Sequence, residues 1–225
     1  AELDRARETE RDEKTRASIE ALIAKQRNGT LTVEYRRRQK GEGRWYATGR
    51  AQLQSCKREI RAAALRGCGW GVDLRASYPM IVARLMRNMV RTSEAAAQTE
   101  AIEAYVRETD RVRQQVAENY RTSVKAAKKL LNSLMFGGSV AQWKRKFKVE
   151  CGAKSELAEA FEKEMRRARI LIAEQEIKRS GAREKKSDKT WMSEAVSREE
   201  ERIMLKMQQE TAKQGWVTGT LIHDE

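Results

Sequence analysis

The chain has 225 residues, enough for one domain or two small ones, and its 40% hydrophobic content supports a modest core. Lys and Arg outnumber Asp and Glu by 47 to 33, and the resulting net charge of +14 favours a polyanionic partner, since neutralising phosphate is what such an excess does best. No apolar run approaches the roughly 20 residues that cross a bilayer, no signal peptide opens the chain, and Cys56, Cys68 and Cys151 lack Cys-x-x-Cys spacing, so a membrane span, secretion, a disulfide framework and a zinc site are not expected and the setting reads as intracellular. The basic residues are spread along the chain and do not form one amphipathic helix, which disfavours an anionic membrane.

Residues 1–27 are charged, free of Gly and Pro, and carry Ile19, Leu22 and Ile23 at helical spacing, predicting a helix ended by Asn28-Gly29. Thr30–Tyr35 alternates like a strand, Gly41-Glu42-Gly43 can turn, and Arg44–Thr48 can return as its partner, a β-hairpin. Gln52–Leu65 reads as a helix broken by Gly67-Cys68-Gly69, and Trp70–Leu74 as a short strand that delivers Asp73. Pro79, the only proline, can open a helix in its first turn, followed by Met80–Val90. Long helices are predicted over Ser93–Asn119 and Tyr120–Met135, the second stopped by Gly137-Gly138. Another covers 153–179 with Leu157, Phe161, Met165, Ile170 and Ile172 as apolar positions, and Gly181–Lys189 reads as a charged linker. Ser197 with Glu200 offers a capping box for a helix to about Lys213, with Ser193 as an earlier start, and Gly215 precedes a strand over Trp216–Ile222. The expected fold is α+β, mostly helical with a small antiparallel sheet.

Two acids stand where apolar strands end, Asp73 after Trp70–Val72 and Asp224 after Leu221–His223, with Glu225 beside the second. Nucleotide addition uses two divalent cations about 3.5–4 Å apart to stabilise the entering and leaving oxygens. Magnesium takes a few carboxylates together with phosphate oxygens and waters, so two aspartates from neighbouring strands suffice. The plain alternatives are a strand-end or helix-capping role for Asp73 and an ordinary acidic terminus for Asp224 and Glu225. Between them Arg121, Lys125, Lys128 and Lys129 fall close to i, i+4, i+7 and i+8, one helix face that can offset triphosphate charge or contact a duplex backbone. Trp143, Lys144, Arg145 and Lys146 form a basic patch with an aromatic, a pattern suited to nucleic-acid backbone. Arg36, Arg37, Arg38 and Lys40 in the hairpin are a similar group.

Taken in order, Asp73-Leu74-Arg75-Ala76-Ser77-Tyr78-Pro79, Lys128–Gly138 and Leu221-Ile222-His223-Asp224-Glu225 resemble the three motifs of template-directed polymerases. The first is similar to motif A of family B DNA polymerases, with Ser77 one place late but Tyr78 and Pro79 in step. The last is similar to the His-Asp-Glu turn of family A. Lys128, Asn132, Phe136 and Gly137 keep the spacing of the family A fingers helix, with Asn132 in place of Phe and Phe136 in place of Tyr; Lys128 and Asn132 also match family B. Val124 stands where family A has an arginine, and Arg121 or Lys125 is the candidate substitute.

The resemblance implies a palm-like sheet and a fingers-like helical region. It divides the chain into an N-terminal accessory part (1–69), a first palm segment (70–92), a fingers-like region (93–190) and a second palm segment (191–225). It implies two Mg2+ ions, for which Mn2+ can substitute, on Asp73 and Asp224, with Glu225 beside them. Lys128, helped by Arg121 and Lys125, is then the triphosphate ligand, Tyr78 the sugar discriminator, Asn132 a neighbour of the nucleotide and Phe136 a neighbour of the templating base. Gly137, Trp143, Lys144, Arg145, Lys146 and His223 are the nucleic-acid contacts. The implied activity is a DNA polymerase of reduced viral, plasmid or mobile-element type, acting on a primer–template with dNTPs and replication accessory proteins. A single-subunit RNA polymerase and a non-catalytic nucleic-acid-binding protein remain the alternatives, and no exonuclease acid constellation occurs in residues 1–69.

Overall fold

A computed structural model of the chain describes residues 2–27, 31–37, 45–49, 51–67, 74–89, 99–150, 152–181 and 186–216. Among them the fold is mostly helical with one two-stranded antiparallel sheet, the coarse arrangement expected, and the further strands expected over Trp70–Leu74 and Trp216–Ile222 fall almost wholly outside the described residues. The chain divides into two compact units, residues 1–73 with 201–225, and residues 74–200. The expected first palm segment from residue 74 onward and the whole of the expected fingers-like region (93–190) therefore fall in one unit.

In the first unit, the predicted N-terminal helix is two helices, α1 (Glu2–Thr9) and α2 (Glu13–Lys25). Asp12 separates them: its carboxylate accepts the Thr15 N–H at 2.9 Å, while Glu10 Oε1 accepts the Asp12 N–H at 2.9 Å, so side chains serve donors that a continuous helix would have used. Ile19 and Leu22 of α2 are buried with Ala51, Cys56 and Ile60, and Leu3 and Ala6 of α1 pack against them. The hairpin is β1 (Tyr35–Arg37) and β2 (Trp45–Ala47), paired Tyr35 to Ala47 and Arg37 to Trp45. The first strand is displaced from the expected Thr30–Tyr35 and shares only Tyr35 with it, while the second covers three residues of the expected Arg44–Thr48. The predicted Gln52–Leu65 helix begins only at α3 (Arg58–Leu65), because Gln52 folds onto the Ser55 N–H at 3.0 Å and Gln54 brackets β2 through the Ala47 N–H and the Trp45 carbonyl, both at 2.8 Å.

The second unit opens with α4 (Ser77–Met89), in which Pro79 sits in the first turn as predicted. The single helix expected over Ser93–Asn119 is α5 (Glu100–Arg107) and α6 (Thr109–Asn119), parted at Glu108; residues 91–98 lie outside the described set. The N-terminus of α5 is served from elsewhere in the fold, Glu164 accepting the Ala101 and Ile102 N–H groups at 3.0 and 2.9 Å. Next come α7 (Val124–Met135), α8 (Val140–Phe147), α9 (Glu156–Ser180) and α10 (Asp188–Lys213). Helix α7 starts four residues later than predicted, since Ser123 caps it through the Ala126 N–H. Helix α8 was not predicted.

Helix α9 is central to this unit and packs against α4, α5, α7 and α8. Its buried stripe is Ala158, Phe161, Met165, Ala168, Ile172 and Ala173; Ile170, expected inside, is 45% exposed because it falls off that 3.6-residue phase. Gly181, with φ +59°, closes α9. The expected linker to Lys189 is shorter than proposed, because α10 begins at Asp188, with Ser187 Oγ accepting the Thr190 N–H at 3.3 Å. Ser193 and Ser197 are thus interior to the helix and the Ser197–Glu200 capping box does not form. Helix α10 ends at Lys213 and Gly215 follows with φ +79°, as the sequence indicates.

From Glu201 on, α10 belongs to the first unit. There Glu201 accepts from Trp45 Nε1 at 2.9 Å and from the Arg37 guanidinium, which also lies 4.4 Å over the Trp45 ring. Arg37, one of the hairpin cations, is thereby committed to an internal ion pair.

Candidate functional site

Helix α7 supplies the clearest functional face. Ala126, Ala127, Leu130, Leu131, Leu134 and Met135 are buried, which leaves Lys125, Lys128, Lys129, Asn132, Ser133 and Phe136 on the exposed side. Three lysines, an amide and an aromatic ring therefore run along one stripe. Arg121 is not among them: it precedes the helix in a left-handed turn with φ +50° and lies 3.6 Å from Glu150. Its assignment to the same helical face is corrected, because the α7 cap at Ser123 turns the chain before Arg121 can join the stripe.

The stripe ends in a double reversal. The Gly137 N–H donates to the Leu134 carbonyl at 3.2 Å and the Gly138 N–H to the Ser133 carbonyl at 2.8 Å, the pairing of a Schellman motif. Gly137, with φ +82°, meets the backbone requirement, and Gly138 is demanded by space: a Cβ there would lie 2.1 Å from Ser133 Oγ and 3.0 Å from the Ser133 carbonyl oxygen. Phe136, held at the helix end by this turn, is 59% exposed.

Tyr78 meets it. The turn before α4 passes through Ala76 in a left-handed conformation (φ +51°), Arg75 is tied to Asp110 at 2.5 Å, and Tyr78 follows as the second residue of α4. Its ring centroid is 4.8 Å from that of Phe136, the planes inclined at 54°. Two residues singled out from separate motifs therefore touch.

Arg169, on the flank of the buried stripe of α9, donates to the Leu134 carbonyl at 3.3 Å, close behind Phe136. Burial, reinforced by Arg166, holds its pKa below the usual guanidinium value, while Tyr78, Asp188 and Glu162 act in the opposite direction. Lys189 of α10 crosses Gly137, where an added Cβ would lie 2.4 Å from Lys189 Cε. Sequence reasoning missed both cations. The phase of Phe161, Met165, Ala168 and Ile172 places Arg169 at the edge of the core face and could have marked it; Lys189 carries no such signal, because only tertiary packing brings the start of α10 to the end of α7.

Trp143 is a correction. It is 4% exposed, donates its indole N–H to the Ala126 carbonyl at 3.2 Å, and packs against Tyr120 and Phe147 with both centroid distances at 5.3 Å. It is a core residue of the α7–α8 corner and has no face left for a base. Val140, Trp143 and Phe147 stand at i, i+3 and i+7, so the amphipathic period that buries it is present in the sequence. Lys144 is drawn inward as well, bonded to the Ala153 carbonyl with its ammonium 5.2 Å from the Tyr120 ring. Arg145 and Lys146 are exposed beside it, while Lys129 lies 5.8 Å over Phe147.

Asp73, His223, Asp224 and Glu225, with the strands expected to carry them, lie outside the described residues. Among the described residues no cluster of three or more His, Cys, Asp or Glu side chains is placed to hold a metal ion, and no helix is long and apolar enough to cross a membrane. No protein-family model matches the chain, and searches of curated proteins and of solved structures return no similar protein.

Proposed function

We propose that the chain is a template-directed nucleotidyltransferase that adds dNTPs to a primer 3′ end, with two Mg2+ ions held by Asp73 and Asp224. The observation that carries this reading is the 4.8 Å contact between Tyr78 and Phe136. It joins the segment that follows Asp73 to the end of the helix that presents Lys128 and Asn132, which supports the assignment of the two segments to one site. The metal ions, when bound, would stabilise the attacking and leaving oxygens of phosphoryl transfer.

The residues of the chain then have distinct tasks. Lys128 is exposed on the α7 stripe and is positioned to neutralise polyphosphate charge, with Lys125 one turn away. Asn132, one turn further along, can hydrogen-bond a sugar or base. Tyr78 is half-buried against Phe136, so its ring has limited freedom to yield to a bulkier ribose. Preference for deoxynucleotides over ribonucleotides rests on this last point, which also separates the reading from an RNA polymerase.

The exposed lysines of α7, with Arg145 and Lys146 of α8, favour a second reading, a protein that binds nucleic acid without catalysis. Primer extension in Mg2+ decides between the two. Incorporation by the wild-type chain, abolished in Asp73→Ala and Asp224→Ala and strongly reduced in Lys128→Ala, supports the enzyme. Binding without incorporation, or incorporation unchanged in both aspartate variants, selects against it. Tyr78→Ala should admit rNTPs more readily; unaltered sugar selection removes the steric role of Tyr78.

A further inference from the structure

The Tyr78 and Phe136 rings are bordered by two cations that no motif assigns. Arg169 is partly buried and, among the described residues, is hydrogen-bonded only to the Leu134 carbonyl, with no carboxylate in an ion pair with it. Glu162, on the same helix, is occupied by Arg166 at 3.5 Å and by the Val140 N–H at 3.1 Å. Lys189 is exposed and lies across Gly137 with no ion pair among the described residues. The Asp188 and Glu162 carboxylates act on Arg169 only through space and make no ion pair with it, so a guanidinium stripped of part of its water keeps donors that a bound anion can complete. Phe136 lies in the chain between Leu134, which Arg169 grips, and Gly137, which Lys189 crosses, and its ring, more than half exposed, is an apolar surface that a planar base can cover.

Lys128 lies eight residues earlier on α7, about 12 Å along the helix axis at 1.5 Å per residue. That separation leaves room for successive backbone phosphates to meet Lys128 and the cations beside Phe136. A strand, which carries a base and a phosphate at every step, fits the pairing of an exposed ring with two cations better than a mononucleotide does.

We propose that Phe136, Arg169 and Lys189 form a binding site for single-stranded nucleic acid, one base lying on the Phe136 ring and the adjoining backbone phosphate bridging the two cations. The site rests on the polymerase reading only in that it makes this strand the template; the binding itself needs no catalysis. Arg169 offers a fork of donors steadied by its bond to Leu134, and Lys189 supplies a mobile point charge.

Fluorescence anisotropy of a labelled oligothymidylate, measured over a salt series without Mg2+, tests the site. Phe136→Ala should weaken binding about tenfold through lost stacking. Because both cations share one phosphate, Lys189→Gln should lower the salt slope by less than about 0.7, and Lys189→Gln combined with Arg169→Gln by about 0.7. Lys189 is exposed, so Lys189→Gln should melt with the wild type, whereas Phe136→Ala also gives up the Tyr78 ring contact, worth about 0.5–1.5 kcal/mol, and its affinity is read well below its Tm; Arg169→Lys, which retains charge but not the fork, should fall between the wild type and Arg169→Gln. Unchanged affinity and slope in Phe136→Ala and Lys189→Gln overturn the proposal, as does a loss seen only when dTTP is the probe. Primer extension run in parallel keeps the two readings apart. A wild type that extends primers while the variants bind the oligonucleotide normally refutes this site alone; a wild type that extends nothing but loses the oligonucleotide on substitution refutes the polymerase and leaves the site standing.

Discussion

Replacement of Trp143 distinguishes a core residue from a base-stacking one, and the structure permits the cost to be worked out. Trp143→Phe removes the indole N–H bond to Ala126, worth about 1 kcal/mol net, and the carbonyl is not orphaned because it lies within α7. The smaller ring leaves a void of about 40 Å³ between Tyr120 and Phe147, which at about 24 cal/mol per Å³ adds about 1 kcal/mol. The total, about 2 kcal/mol, corresponds to a fall in Tm of about 6 °C for a chain of this size, and Trp143→Ala should cost about 3–5 kcal/mol. Circular dichroism melts give the stability, and oligonucleotide anisotropy well below the lower Tm gives the affinity. The expected outcome for Trp143→Phe is a lowered Tm with Kd unchanged within about twofold. A stacking role predicts the reverse for Trp143→Ala, because losing one base–aromatic contact altogether costs about 1–3 kcal/mol of binding. A tenfold loss of affinity with Tm unmoved would refute the burial argument.

The two glycines after Phe136 should respond unequally: Gly137→Ala meets a left-handed backbone costing about 1–2 kcal/mol and a Lys189 side chain that can swing aside, whereas Gly138→Ala meets the Ser133 backbone and should unwind the last turn of α7 at about 2–3 kcal/mol. Urea denaturation orders them, and a larger loss at Gly137 contradicts the contact geometry. Tyr120 is 2% exposed, and among the described residues its hydroxyl completes no hydrogen bond, the Ser155 backbone N–H only approaching it; burial first, then the Glu159 and Glu162 carboxylates, push its pKa up to about 12, with the Ser155 N–H acting in the opposite direction. Because this folded value lies above the unfolded value of about 10, the associated stability is intact below pH 10 and drains away as pH climbs towards 12. Tyr120→Phe should therefore raise stability near neutrality by about 1 kcal/mol, blunt the alkaline loss, and delete the latest component of the 295 nm tyrosine titration; an unchanged titration end would show that another tyrosine ionises last.

Local punctuation made much of the secondary structure legible. The stop of α7 at Gly137-Gly138, the first-turn Pro79 of α4 and the end of α10 before Gly215 follow from backbone chemistry that acts within a few residues. Where side chains competed for backbone donors, the reading slipped. Asp12 divided one predicted helix into two, Ser123 delayed α7 and detached Arg121 from the basic face, and Gln52 and Gln54 shortened the helix before Leu65. Charge density around Trp143 pointed to nucleic acid, although the i, i+3, i+7 spacing of Val140, Trp143 and Phe147 already indicated a buried face.

The basic stripe of α7 is a property of the sequence alone. Lys125, Lys128, Asn132 and Phe136 share a face by helical period, and no packing arrangement could separate them once the helix forms. What lies opposite that face is decided by tertiary structure. Packing of α4 and α7 against the common helix α9 sets the Tyr78 ring against Phe136 and brings Arg169 behind it, while the start of α10 lays Lys189 across Gly137. The physical reason is range: caps, turns and periodicity act over a few residues of chain, whereas a site built from four helices depends on which apolar faces exclude water together.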